Sequence, residues 1–177
     1  METIENNNLS QLVVKLKTKD SNYAKLSKAV QILYWFFIPL FVFISGMEYL
    51  ETKKINVLVS GVCFILSFIV LALFFRKFYK EYKYVDYSLP TIQMLKKAVQ
   101  RYQPFHGNSI WIVLGLVLMD IGLTFKWTGL GISITIVQAF FGGTILIGVI
   151  IGLIFWYFKY KPIRDEALQL IKEIEAE

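Results

Sequence analysis

The chain has 177 residues, 56% of them hydrophobic and only 18% charged, with a mean hydropathy of +0.54 and a formal net charge of +6. Soluble domains carry about 45–50% apolar and about 25% charged residues; here the charges are also segregated along the chain, and that segregation, more than the average composition, points to an integral membrane protein. The positive charge does not point to nucleic acid: no polar segment is long enough to fold as a basic domain, and attraction to an anionic inner leaflet accounts for the excess.

Residues 1–28 are read as an N-terminal segment outside the membrane. Leu9, Leu12, Val13 and Leu16 follow the i, i+3, i+4, i+7 spacing of an amphipathic helix. Roughly thirty mostly polar residues precede a full-length span, which is not the layout of a signal peptide. Residues 29–158 form the membrane bundle, whose first span is read at 31–49, "QILYWFFIPLFVFISGMEY". Pro39 inside it frees the carbonyl of Trp35 and is expected to leave a static kink.

The second span is read at 56–75. It holds Ser67 and the lone Cys63, which excludes an intramolecular disulfide and leaves no Cys-based metal site. The long loop 76–109 opens with "RKFYKEYKYVDY", which continues the second helix outward with aromatic rings at headgroup level and lysine stems reaching out. A helix is then expected over 89–102, with Ser88 as its N-cap, Pro90 in its first turn and an end before Pro104. Leu89, Ile92, Leu95, Val99 and Tyr102 share one face; Gln93, Lys96, Lys97, Gln100 and Arg101 crowd the other. A basic amphipathic helix of this kind is expected first to lie on the inner leaflet; the alternative is docking against the two terminal segments.

The third span, 110–125, carries Asp120, which lies about 15 Å in from Ile110 at 1.5 Å per residue. An aspartate at that depth costs about 2.5–3.5 kcal/mol on insertion scales, so it should face the bundle or be protonated. Thr144 and Ser67 are expected at similar depth and Gln138 nearer the outer face, making Asp120, Thr144, Ser67 and Gln138 the candidate intramembrane polar site. The fourth span, 133–158, is long enough to tilt. Gly143, Gly148 and Gly152 on it, with Gly115 and Gly122 on the third, predict close packing of these two spans on each other, or else pairing with a second copy.

The tail 159–177 is read as a further amphipathic helix, with Pro162 either stopping the last span or standing at the start of the new helix. Ile163, Ala167, Leu170, Ile171 and Ile174 make its stripe; Asp165, Glu166, Glu173, Glu175 and Glu177 make an acidic face. Anionic lipid repels that face, so it suits a basic protein surface, either the 89–102 helix or a partner.

Sixteen of the nineteen Lys and Arg residues fall in the two termini and the middle loop, leaving Lys53, Lys54 and Lys126 to the other loops. The positive-inside rule then places both termini and the loop 76–109 in the cytoplasm. "VDYSLPTIQMLKKAVQRYQPF", then "MDIGL", then "YFKYKPIRDEALQLIKEIE" resemble a group of small bacterial four-span membrane proteins over roughly residues 76–177. The resemblance implies a stand-alone protein of the bacterial inner membrane and brings no catalytic signature.

The residues also argue against an enzyme. A serine protease needs a paired base, and the one histidine, His106, lies outside every span. An aspartyl protease needs two acids sharing a site, and Asp120 stands alone. One His and one Cys at different depths make no zinc site, and no phosphate-binding glycine loop precedes a Lys–Ser or Lys–Thr pair. No catalytic, cofactor-binding or metal-binding residue is therefore expected.

The expected fold is all-α: a four-helix transmembrane bundle with short cytoplasmic amphipathic helices. The expected function is non-enzymatic: an interaction, scaffold or regulatory module working through a cytoplasmic face of Leu89, Ile92, Leu95, Lys96, Lys97, Val99, Arg101, Glu166, Leu170 and Glu173. Its partners would be the anionic inner leaflet and either further copies of itself or a membrane or cytosolic protein. The alternatives are a small oligomeric transporter using Asp120 as its coupling carboxylate, and a purely structural bundle.

Overall fold

The computed structural model describes the backbone of residues 2–104 and 110–176 and the side chains of 9–104 and 110–176. The fold is all-α, with six helices among the described residues: α1 (Glu2–Thr52), α2 (Ile55–Lys83), α3 (Thr91–Arg101), α4 (Ile110–Thr128), α5 (Ile134–Lys159) and α6 (Lys161–Ala176). Four of them, α1, α2, α4 and α5, are long and apolar enough to cross a membrane. Hydrocarbon offers no partner to a bare backbone, so helices are the form such runs take. The expectations about His106 and Glu177 lie outside the described residues.

The N-terminal segment and the first span lie on one helix of 51 residues, α1. The cause is legible locally: residues 2–38 contain neither Gly nor Pro, and the helix continues through Pro39. At 1.5 Å per residue α1 is about 77 Å long, far more than a hydrocarbon core of about 30 Å. Its first half therefore projects beyond the bundle, and α3 and α6 gather around it as a headpiece.

The headpiece has its own core. Leu12 and Leu16 of α1 meet Met94, Leu95 and Ala98 of α3 and Ile163, Ala167, Leu170 and Ile171 of α6. Leu9, Val13, Leu89, Val99 and Ile174 pack around them. The stripe of α3 is thus not laid on a leaflet; Leu95, the centre of that expectation, is fully buried among protein side chains. Ile92 is half-buried and outside this core. Three weakly stable amphipathic helices bury their apolar faces together rather than leave them to lipid headgroups.

Ser88 does not cap α3. Its backbone N–H and hydroxyl both donate to Asp86 Oδ1, at 2.9 and 2.6 Å, so the acid organises the turn and Pro90 stands at the helix start with no side-chain cap. That contact holds the exposed Asp86 carboxyl below its ordinary value.

Within the bundle, α1 runs along α2, and α2 lies between α1 and α4. Phe41 meets Phe64 and Phe68 with ring centroids 5.2 and 5.0 Å apart. The α1–α2 turn is two residues, Lys53 and Lys54, with Lys53 at φ 53°. Near this hairpin-loop end Lys126 pairs with Glu48 at 3.0 Å.

The glycines of α4 face α2, not α5. A Cβ on Gly115 would come within 2.8 Å of Leu71, and one on Gly122 within 3.3 Å of Cys63 and the Ser60 carbonyl. The Ser67 hydroxyl donates to the Gly115 carbonyl at 2.7 Å across the same contact. Gly143, Gly148 and Gly152 of α5 meet nothing within 4 Å. The expected α4–α5 glycine packing is therefore replaced by α2–α4 packing, because bulky α2 side chains fill the notches in α4. Helix α5 is peripheral: Val137 is its one buried residue among those described.

Candidate functional site

Two polar constellations stand out, and the sequence expectation found one of them. The other lies where α1 leaves the headpiece for the bundle. Asp20 is 2% exposed. Its Oδ1 accepts from the Tyr102 hydroxyl at 2.6 Å; its Oδ2 accepts from the Tyr87 hydroxyl at 2.5 Å and from Arg101 Nη2 at 3.1 Å. A carboxylate out of water is tolerable only when paired and saturated with donors. Burial first, and the Asp20 carboxylate second, push both phenols above their ordinary range, so Tyr87 and Tyr102 are neutral donors.

The same cluster finishes α3. A helix leaves its last carbonyls without intrahelical partners. The Tyr82 hydroxyl of α2 donates to the Arg101 carbonyl at 2.9 Å, and the Trp156 indole N–H of α5 donates to the Tyr102 carbonyl at 2.8 Å. Tyr23 stacks between Tyr82 and Tyr160, 4.8 and 4.7 Å away. One short helix end is held by α1, α2, α5 and the 84–90 turn together. Arg101, expected on an outward basic face, is turned inward instead, and its side chain is 9% exposed.

Ion pairs on the headpiece surface follow the expected charge complementarity. Lys96 of α3 meets Glu175 of α6 at 2.8 Å, and Lys15 of α1 meets Glu166 of α6 at 2.9 Å. Glu173 takes a hydrogen bond from Gln169 on its own helix, and Asp165 pairs with Arg164. Lys97 is exposed.

The second constellation is Asp120. Gln138 Nε2 donates to Asp120 Oδ1 at 2.9 Å and to Thr124 Oγ1 at 3.0 Å, joining α4 to α5. Trp127 and Phe140 stack beside it, 5.8 Å apart. The other two expected partners are elsewhere: Thr144 bonds its own helix at the Phe140 carbonyl, and Ser67 is committed to Gly115. Asp120 and Gln138 therefore form a local clamp towards the hairpin-loop end.

Between the clamp and the headpiece, α5 stands off the bundle. The gap is a cleft of about 720 Å³ walled by α1, α2 and α5 with Ile112 of α4, and Arg101 to Pro104 line it as well. Among the described residues no group of three or more His, Cys, Asp or Glu residues could hold a metal ion. No family model, curated protein or solved structure matches the chain.

Proposed function

We propose that this chain is a non-enzymatic interaction and regulatory module of the membrane, acting through its headpiece. The headpiece and both termini would lie on the cytoplasmic side of a bacterial inner membrane, as the distribution of Lys and Arg implies. The observation that carries the reading is the self-contained headpiece: its stripes are consumed by one another, and what they leave outward is a polar, basic surface on α3. Gln93, Lys96, Lys97 and Gln100 are all exposed there. Beside them a groove of about 350 Å³ runs between α3 and the 84–90 turn, with Leu89, Lys97 and the acids Glu81 and Asp86 on its walls. The partner favoured by the exposed α3 face, rather than by the groove, is an acidic protein segment; a further copy of this chain is the other occupant. The buried stripes are not the docking surface, so the residues to test are the exposed ones.

The test is gentle-detergent affinity purification of the tagged chain from its native membrane, with the Lys97→Glu/Gln100→Glu variant alongside. A stoichiometric companion lost from the variant, with helicity and thermal unfolding unchanged, supports the reading. Recovery of the chain alone, or of a companion indifferent to both changes, overturns it.

A transporter using Asp120 remains the second reading, and the Gln138 contact is what recommends it: two polar side chains meet within the span region. Against it, the other two expected partners, Thr144 and Ser67, are bonded elsewhere, so among the described residues the contact ends at Thr124.

A further inference from the structure

We propose that the cleft between α5 and the α1–α2 pair is a binding site for one glycerophospholipid, with an acyl chain along the cleft and the phosphate at the Arg101 end. The walls fit an acyl chain. Phe74 and Phe78 of α2 and Val149 and Leu153 of α5 line it, and Gly148 and Gly152 of α5 leave open space between the larger side chains. The volume of about 720 Å³ falls within the range of about 300–1,000 Å³ usual for small-molecule sites.

The length of the cleft selects the occupant. From Gly148 to Tyr160 along α5 is about 18 Å at 1.5 Å per residue, close to one leaflet's share of a hydrocarbon core about 30 Å thick. Beyond it the Asp120–Gln138 clamp and the Trp127–Phe140 stack bring α4 and α5 together. A spanning helix from a second copy needs a seam through both leaflets, and the clamp closes half of that seam. A lipid needs only one leaflet.

The headpiece end of the cleft is polar where the rest is not. Ser27, Arg101 and Gln103 line it, beside the aromatic rings of Tyr23, Tyr102 and Trp156, the residue types that favour the headgroup level. The Arg101 guanidinium is bonded to Asp20 through Nη2, and a guanidinium is the group that matches a phosphate best. Asp20 does not repel it strongly: both carboxylate oxygens are already taken by Tyr87, Tyr102 and Arg101.

The experiment uses the full chain in detergent micelles, titrated with phosphatidylglycerol and read by native mass spectrometry. One lipid per chain should persist under activation that strips other adducts. Gly148→Leu/Gly152→Leu fills the cleft without touching the headpiece; because buried methylenes carry the affinity, it should weaken binding at least about tenfold. Gly143→Leu, equally free of neighbours but outside the cleft lining, should leave binding unchanged. Diacylglycerol, which lacks the phosphate, should bind about tenfold more weakly than phosphatidylglycerol. Circular dichroism and thermal unfolding of both variants report whether the fold is intact. Equal lipid retention by wild type and the double leucine variant overturns the site. Equal binding of diacylglycerol overturns the role of Arg101. A wild-type dimer without lipid, dissociated by the double variant, replaces the lipid by a second copy.

Discussion

Asp20 and Arg101 are 81 residues apart in sequence, and their side chains meet at 3.1 Å with 2% and 9% exposed. The pair joins the middle of α1 to the end of α3. It fixes the headpiece at one rotational setting on the helix that continues into the bundle.

Removing one partner leaves the other charged and buried. Arg101→Met is therefore expected to destabilise the protein by about 3–5 kcal/mol. Asp20→Leu with Arg101→Met removes both charges but leaves the Tyr87 and Tyr102 hydroxyls without their acceptor. The quadruple variant Asp20→Leu/Arg101→Met/Tyr87→Phe/Tyr102→Phe removes the whole polar cluster and should recover much of the loss, since apolar replacements of a buried pair are often neutral. Thermal unfolding in detergent measures all three. A quadruple variant as unstable as the arginine variant would show that the polar cluster itself, and not the avoidance of a lone charge, holds the joint.

The two phenols add a pH dependence. Tyr87 and Tyr102 are raised above their ordinary value in the folded chain, and the unfolded value is about 10. Folding then favours the protonated phenol, so the contribution is fully present below pH 10 and is lost as pH rises through the folded-state values. Tyr87→Phe/Tyr102→Phe should unfold at lower temperature at pH 7, by about 1.5–3 kcal/mol per lost bond to the charged acceptor, and should show a shallower fall above pH 10. Unfolding temperature against pH, for both proteins, is the measurement.

Helix existence, the four spans and the three apolar stripes were legible because each rests on periodicity within one segment. What the stripes touch was not, because lipid and protein offer an apolar face the same transfer energy. The Asp20 site left a signal that went unread. The stripe Leu9, Leu12, Val13, Leu16 continues through Asp20 to Tyr23, Ala24 and Ser27 on the same helical face, and an acid on an apolar stripe needs a buried cation. Arg101, three residues after Ala98 and next to Tyr102, stands at the edge of the α3 stripe for the same reason. The glycine partners were illegible: Gly115 and Gly122 are notches, and one sequence does not say which neighbour fills a notch.

The headpiece core and its surface ion pairs differ in what they contribute. Leu95→Ala empties a fully buried site and should cost about 2–5 kcal/mol. Lys96→Ala removes a pair whose side chains are 56% and 50% exposed, and exposed pairs contribute about 0–1 kcal/mol. Limited proteolysis of the headpiece should therefore accelerate sharply in the first variant and little in the second.

Asp120→Asn keeps the size of the side chain and an acceptor for Gln138, so the α4–α5 clamp should survive with stability changed by about 1 kcal/mol or less. In reconstituted vesicles a clamp predicts no change in proton or cation flux. A flux present in the wild type and abolished by this substitution would make Asp120 a coupling carboxylate and move the second reading ahead of the first.

Glycines on α2 and α5 look alike in sequence and should respond oppositely. A Cβ on Gly61 would lie 2.6 Å from the Cβ and hydroxyl oxygen of Ser45 on α1. Both atoms are held close to the α1 backbone, so the helices must separate to admit it. Gly61→Ala is expected to cost about 1–3 kcal/mol by overpacking, and Gly61→Leu to prevent the α1–α2 pair from closing. Gly152→Ala meets nothing within 4 Å, and replacing a helical glycine by alanine gains about 0.5–1 kcal/mol of helix propensity. Unfolding temperatures of the two alanine variants should fall on opposite sides of the wild type. Two lowered unfolding temperatures would mean that α5 packs in the membrane as tightly as α1 does, and the cleft beside it would then be closed.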